Sequence, residues 1–118
     1  DRFTMAEMTR IDVPGAHGAF HSPNGEYFYT ANLPGGGADA VFTIDTRRNE
    51  VVGEPVDSPY PVPHNIALNR NGKILYLTHS GAAANRVTIY RVFAGRHLSF
   101  EAEVAVGLNP FGLAYVPR

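Results

Sequence analysis

A shift of 47 residues lays this sequence on itself. With His17 placed over His64, "HGAFHSPNGEYFYTAN" aligns with "HNIALNRNGKILYLTH" without a gap, matching Asn24-Gly25 to Asn71-Gly72 and Tyr29 to Tyr76. A second shift of 47 carries Pro63-His64-Asn65-Ile66-Ala67 onto Pro110-Phe111-Gly112-Leu113-Ala114, where a third copy opens. A chain built this way must fold as a row of similar supersecondary units, because each copy buries its apolar face only against a neighbour.

The content of one unit follows from its turns. Segments 17–22, 26–32, 40–45 and 50–56 are separated by "SPNG", "LPGGGAD" and "TRRN"; segments 64–69, 73–79, 86–92 and 98–106 by "NRNG", "SGAAAN" and "FAGRH". The segments are rich in Val, Ile, Tyr, Phe and Thr, the residues that suit a pleated sheet. No capped amphipathic pattern of helical period occurs. Four short strands at a period of about 40–50 residues are the mark of a β-propeller blade, so the fold class expected is all-β, with four-stranded antiparallel blades in an incomplete propeller. The expected boundaries are 1–14 for the end of a preceding blade, 15–61 and 62–108 for two blades, and 109–118 for the first strand of the next. Closure takes about 4 to 8 blades, and seven at this period would need roughly 330 residues. The expected partners are therefore the remaining blades of the same protein or other chains that complete the ring.

Composition narrows the function classes. With 44% hydrophobic residues the chain is globular in character, and a formal charge of -1 with 18% charged residues offers no basic excess for nucleic acid. No apolar run approaches the roughly 20 residues of a membrane-spanning helix. The absence of cysteine removes disulfides, thiolate metal sites and a cysteine nucleophile. Asp1 follows no signal-like leader, which a mature chain would have lost in any case.

"PNGEYFYTAN" and "RNGKILYLTH" resemble the repeat of YVTN-type propellers, in which a Pro-Asp-Gly-like turn precedes a strand ending in Tyr-Val-Thr-Asn. Here the tetrads are Tyr29-Thr30-Ala31-Asn32 and Tyr76-Leu77-Thr78-His79, with Arg70 at the turn proline position and His79 at that of the terminal Asn. "VTIYRVFAGRHLSFEAEVAVGLNPFGLA" is similar to a stretch of the lactonase-like seven-bladed propellers. This resemblance implies that His17, His64 and Phe111 occupy equivalent positions around the mouth of a central channel. It implies that Asn32, His79 and the loops "LPGGGA", "SGAAA" and "DSPYPVP" share that top face, and that the protein is secreted or periplasmic. The opposite face collects the turns carrying Arg47, Arg48, Arg70, Lys73, Arg96 and His97 and is expected to be basic.

The candidate ligand-binding residues are therefore His17, His64, His79, Asn32 and Phe111. For His17 and His64 three readings stand side by side. They pin the start of each blade by hydrogen bonding, they hold a transition metal such as copper, or they touch a substrate. Phe111 interrupts the ring a metal would want. His79 can serve loop backbone groups as the tetrad Asn would, or pair with His64. His21, in register with Leu68, is expected between blades. Gly35-Gly36-Gly37 lacks the Lys-Ser/Thr and helix of a phosphate cradle, no Gly-x-Ser-x-Gly elbow occurs, and the carboxylates are scattered. The function expected is a binding or scaffold module acting through the top face. The alternative is part of a propeller enzyme, either a lactonase-like hydrolase or a copper-dependent enzyme related to nitrous oxide reductase, so the sequence leaves open whether the chain is catalytic and whether it carries a cofactor.

Overall fold

The computed structural model describes residues 1, 3–33 and 39–117, so the Gly35-Gly36-Gly37 run lies outside the described residues. The first repeat forms β1 (Ala16–His21), β2 (Tyr27–Asn32), β3 (Ala40–Asp45), β4 (Glu50–Val51) and β5 (Val56–Asp57); the second forms β6 (Pro63–Leu68), β7 (Ile74–His79), β8 (Arg86–Phe93) and β9 (His97–Ala105). Each repeat is an antiparallel meander, in the order β1-β2-β3-β4 with β5 also pairing β3, and β6-β7-β8-β9. No helix occurs among the described residues.

The same turn is built twice from different residues. Gly25 N–H donates to Ser22 O at 2.9 Å and Gly72 N–H to Asn69 O at 2.9 Å, with φ of 72° and 69° at the two glycines. The left-handed conformation explains why Gly is retained in both copies, after Asn each time, while Ser22-Pro23 and Asn69-Arg70 before the Asn differ.

The strand pattern corrects one expectation. Segment 50–56 is not one strand but the pair β4 and β5, because Gly53 adopts φ of 68° and Pro55 has no N–H to donate, whereas β9 lacks both residues and runs unbroken over Glu101. None of the described residues of 1–14 and 109–117 is in a strand, and no described strand pairs with them. The third copy nonetheless lies where the repeat puts it. Phe111 O accepts hydrogen bonds from Asn65 Nδ2 at 2.6 Å and Thr78 Oγ1 at 3.3 Å.

The two sheets pack face to face. Alternate residues of β2 and β3 (Tyr29, Ala31, Val41) meet Ile66, Leu68, Leu75, Leu77, Tyr90 and Val92 of the second sheet. The Tyr29 hydroxyl reaches across this core and donates to Gly95 O at 2.5 Å. Burial pushes its pKa up to about 12, which keeps it the neutral donor that the contact requires.

His21, expected between blades, does not pack between the two described sheets. Its ring is exposed, stacks on Phe20 at 5.6 Å, and bonds Ser22 O through Nδ1 at 2.8 Å. The second sheet packs the face bearing Leu68 and Leu75 against the first; the same face of the first sheet, bearing His21 and Phe28, has no described sheet against it. Phe28 is accordingly 37% exposed where its counterpart Leu75 is 0% exposed.

Close packing of β1 on β6 rests on Gly18. A Cβ built there would lie 1.7 Å from His64 O, whereas one at Gly107 meets nothing within 4 Å. Gly18→Ala is therefore expected to lower unfolding stability by about 2 kcal/mol or more, as overpacking against backbone does, and Gly107→Ala to change it by less than about 0.5 kcal/mol. Equal urea midpoints for the two variants would contradict the close approach.

Candidate functional site

The approach that Gly18 permits brings the starts of β1 and β6 together. His17 and His64 meet there with Nε2 atoms 3.0 Å apart and ring centroids at 4.4 Å. Phe111 extends the row, its ring 4.2 Å from that of His64. The three positions that the repeat makes equivalent are thus neighbours in space. His64 is buried at 5% exposure, while Phe111 is 59% exposed and His17 is exposed beside it.

The hydrogen-bond network selects a tautomer. Asn65 Nδ2 is fixed by Phe111 O at 2.6 Å and also lies 3.0 Å from His64 Nδ1, which must then accept. The His64 proton is left on Nε2, where it is donated to Nε2 of His17. Burial lowers the His64 pKa, and the nearby His17 lowers it further, against an opposing pull from the Phe111 carbonyl. The contact is therefore an N–H···N hydrogen bond donated by a neutral His64.

A metal can be tested against this geometry. With metal–nitrogen bonds of about 2.0–2.1 Å, nitrogens this close would subtend roughly a right angle, which suits tetragonal copper(II) better than tetrahedral zinc. No cluster of three or more His, Asp or Glu side chains with metal-binding geometry occurs among the described residues. Ligation by His64 Nε2 would also move its proton to Nδ1 and break the Asn65 arrangement. As placed, the residues fit a hydrogen-bonded pair better than a metal centre.

Asn32 and His79, equivalent in the repeat, are both buried. Asn32 Oδ1 accepts from Ala40 N–H at 2.7 Å, holding the end of β2 to the start of β3. His79 does the corresponding work with both nitrogens: Nδ1–H donates to Pro61 O at 3.3 Å, and Nε2 accepts from Thr88 Oγ1 at 2.9 Å. Burial is the largest influence on His79 and lowers its pKa, opposed by the Pro61 and Tyr60 carbonyls and Asp39. His79 therefore pairs with Thr88 and Pro61, not with His64.

His79 also borders a cavity of about 330 Å³ between Tyr60–Val62 and Ser80–Arg86. Glu103 braces one side, accepting from the Tyr60 hydroxyl at 2.6 Å and from Arg86 Nε at 3.3 Å. The hydrogen bond to Glu103 raises the Tyr60 pKa. Tyr60 and Arg86 escaped the sequence reading. Their one signal is that Arg86 stands 47 residues after Asp39, a reversal of charge at an equivalent position. On the other face Arg47 pairs with Glu26 at 2.6 Å and Arg48 with Glu50 at 3.6 Å, which offsets two of the cations expected there.

No protein-family model matches the chain, and no curated protein matches it in sequence. Solved structures do. A functionally unknown protein of Desulfotomaculum acetoxidans superposes with a TM-score of 0.71 at 19% identity, over 86% of this chain and 31% of its own. Hydrazine synthase of Kuenenia stuttgartiensis gives 0.68 at 20% identity, over 80% of this chain and 25% of its own. A Bacteroides fragilis protein with a provisional 6-phosphogluconolactonase assignment gives 0.63 at 22% identity, over 86% and 28%. The fold is that of β-propeller blades. At these identities the likeness shows the fold alone, and the chain spans about a quarter to a third of the length of the structures it matches.

The buried histidines set a pH dependence. Their folded pKa values lie below the ordinary 6.5, so the unfolded chain binds more protons on acidification. Their contribution is complete above about pH 6.5 and is lost as pH falls through the lowered folded values. Thermal melts are expected to shift down between pH 7.5 and 5, and less steeply in His79→Asn, which installs the first blade's residue. A melting temperature that rises on acidification would contradict the neutral, buried state.

Proposed function

We propose that this chain is a binding segment of a β-propeller, presenting a ligand or partner surface at the channel mouth. The observation that carries the reading is the convergence of His17, His64 and Phe111, three equivalent positions brought into one contiguous row. A site assembled from successive blades is made by the fold, and it combines an exposed imidazole with an exposed aromatic ring above a buried, neutral histidine. Such a surface offers hydrogen bonding and apolar contact together, which suits recognition. Asn32 and His79 contribute through the loops they hold. Completion of the ring by further blades, in this polypeptide or others, would cover the open sheet faces at Phe28 and Tyr76. Placement in a secreted or periplasmic compartment belongs to the same proposal.

The competing enzyme readings are a lactonase-like hydrolase and a copper enzyme, and both route chemistry through His17 and His64. Metal analysis and a lactone-hydrolysis assay on the parent protein and its His17→Ala and His64→Ala variants separate them. The binding reading expects no stoichiometric copper, zinc or iron and no hydrolysis that depends on either histidine. One copper per protein, lost in both variants, would overturn it in favour of the copper enzyme; a more than tenfold loss of lactone turnover in either would favour the hydrolase.

A further inference from the structure

Between them His17 and His64 hold no vacant base. The His64 proton sits on Nε2 and is donated to Nε2 of His17, so the lone pair on that His17 atom is in use and the ring's own proton is on Nδ1. The other lone pair of the contact, at His64 Nδ1, accepts from Asn65 Nδ2. A further proton therefore enters the row only by breaking one of these two hydrogen bonds.

The two are held unequally. Asn65 Nδ2 also donates to Phe111 O at 2.6 Å, and Asn65 N–H donates to Thr78 Oγ1 at 3.0 Å, so turning the amide over would set its oxygen against the Phe111 carbonyl. His64 is buried, which opposes charge on its ring. The outer bond joins that ring to one in water, since His17 is exposed and its side chain makes no other hydrogen bond among the described residues. His17 is the titratable group whose charge is felt at His64; no carboxylate, Lys or Arg acts there. The surrounding polar groups are Asn65 on β6, Thr78 on β7 and Phe111 O, which favours a charged His64 less than burial opposes it. On the adjoining strands Asn32 is turned to Ala40 N–H, and His79 to Pro61 and Thr88.

We propose that the His17–His64 contact is a proton-operated latch at the channel mouth, closed while His17 Nε2 accepts and opened when that atom gains a proton from solvent, because two N–H groups then face each other. The exposed side of the contact gives way. His17 swings into water, His64 keeps its Nε2 proton, and Asn65 keeps its hold on Phe111. The His64 N–H, occupied in the closed state, becomes a free donor beside the Phe111 ring. Histidine changes charge between about pH 5 and 8, so the latch is closed at mildly alkaline pH and opens as pH falls. The inference rests on the channel-mouth reading and gives that site a regulation: a ligand that accepts a hydrogen bond from His64 is admitted in acid and shut out in alkali.

The contact is read directly in ¹⁵N-labelled protein by the ¹⁵N–¹⁵N coupling that an N–H···N hydrogen bond transmits between the two Nε2 atoms, detected on the non-exchanging ring protons. Long-range ¹H–¹⁵N spectra assign the tautomer of each ring. The coupling is expected at pH 8 and lost by pH 5.5, with His64 remaining the Nε2–H tautomer and the Asn65 side-chain amide unshifted through the loss. In Asn65→Ala, which frees His64 Nδ1 to take the proton, the coupling is expected to persist at pH 5.5, with His17 now the donor. The proposal is overturned if the wild type shows no coupling at pH 8 or keeps it at pH 5.5, if His64 changes tautomer as the coupling is lost, or if Asn65→Ala loses it as the wild type does. No ligand enters the measurement, so failure here is separable from failure of the channel-mouth reading, which the metal and lactone assays decide.

Discussion

The structure depends on one close approach, that of β1 to β6 at Gly18 over His64 O. A sheet with an apolar face has to bury it, and two sheets related by a repeat can do so only where their inner strands come near enough for the faces between them to interlock. The meeting of His17, His64 and Phe111 follows from that spacing. The same contact that closes Tyr29, Ala31 and Val41 over Leu75, Leu77 and Tyr90 also draws His17 to His64. In the third copy the relation recurs with Asn65 in place of Gly18, and the side chain that could not fit against a histidine carbonyl becomes a hydrogen-bond donor to the Phe111 carbonyl.

Burial gives the polar residues of the repeat their meaning. A histidine in a low-dielectric site is driven to its neutral form and needs a partner for each ring nitrogen. His79 finds Pro61 O and Thr88 Oγ1, and His64 finds Asn65 and His17. Both therefore act first as fasteners. His17 and Phe111 remain exposed beside them, while Arg86 and Tyr60 share the Glu103 carboxylate.

Much of this was legible in the chain. The 47-residue offset, the Asn-Gly turns and the strand alternation carry the two sheets, their meander order and the equivalence of His17, His64 and Phe111. What was not legible depends on which surface another element covers. His21 and Leu68 share a register position, yet one is exposed and the other is core, because only the second sheet has a neighbour on that face. Of the two readings of His79, service to loop backbone is the one found, at the Pro61 carbonyl; its second partner, Thr88, was not legible because it lies on the adjacent strand β8. Tyr60, Arg86 and Glu103 belong to no motif and meet only in three dimensions.

The sequence by itself determined the repeating unit, because turn chemistry and period-two patterning are local properties that survive in each copy. It also determined which residues would be equivalent. Only the tertiary structure decided which equivalent residues would touch, which would be buried, and what protonation state burial would impose, since those depend on the distance between sheets and on the carbonyls and hydroxyls that neighbouring strands bring to each ring.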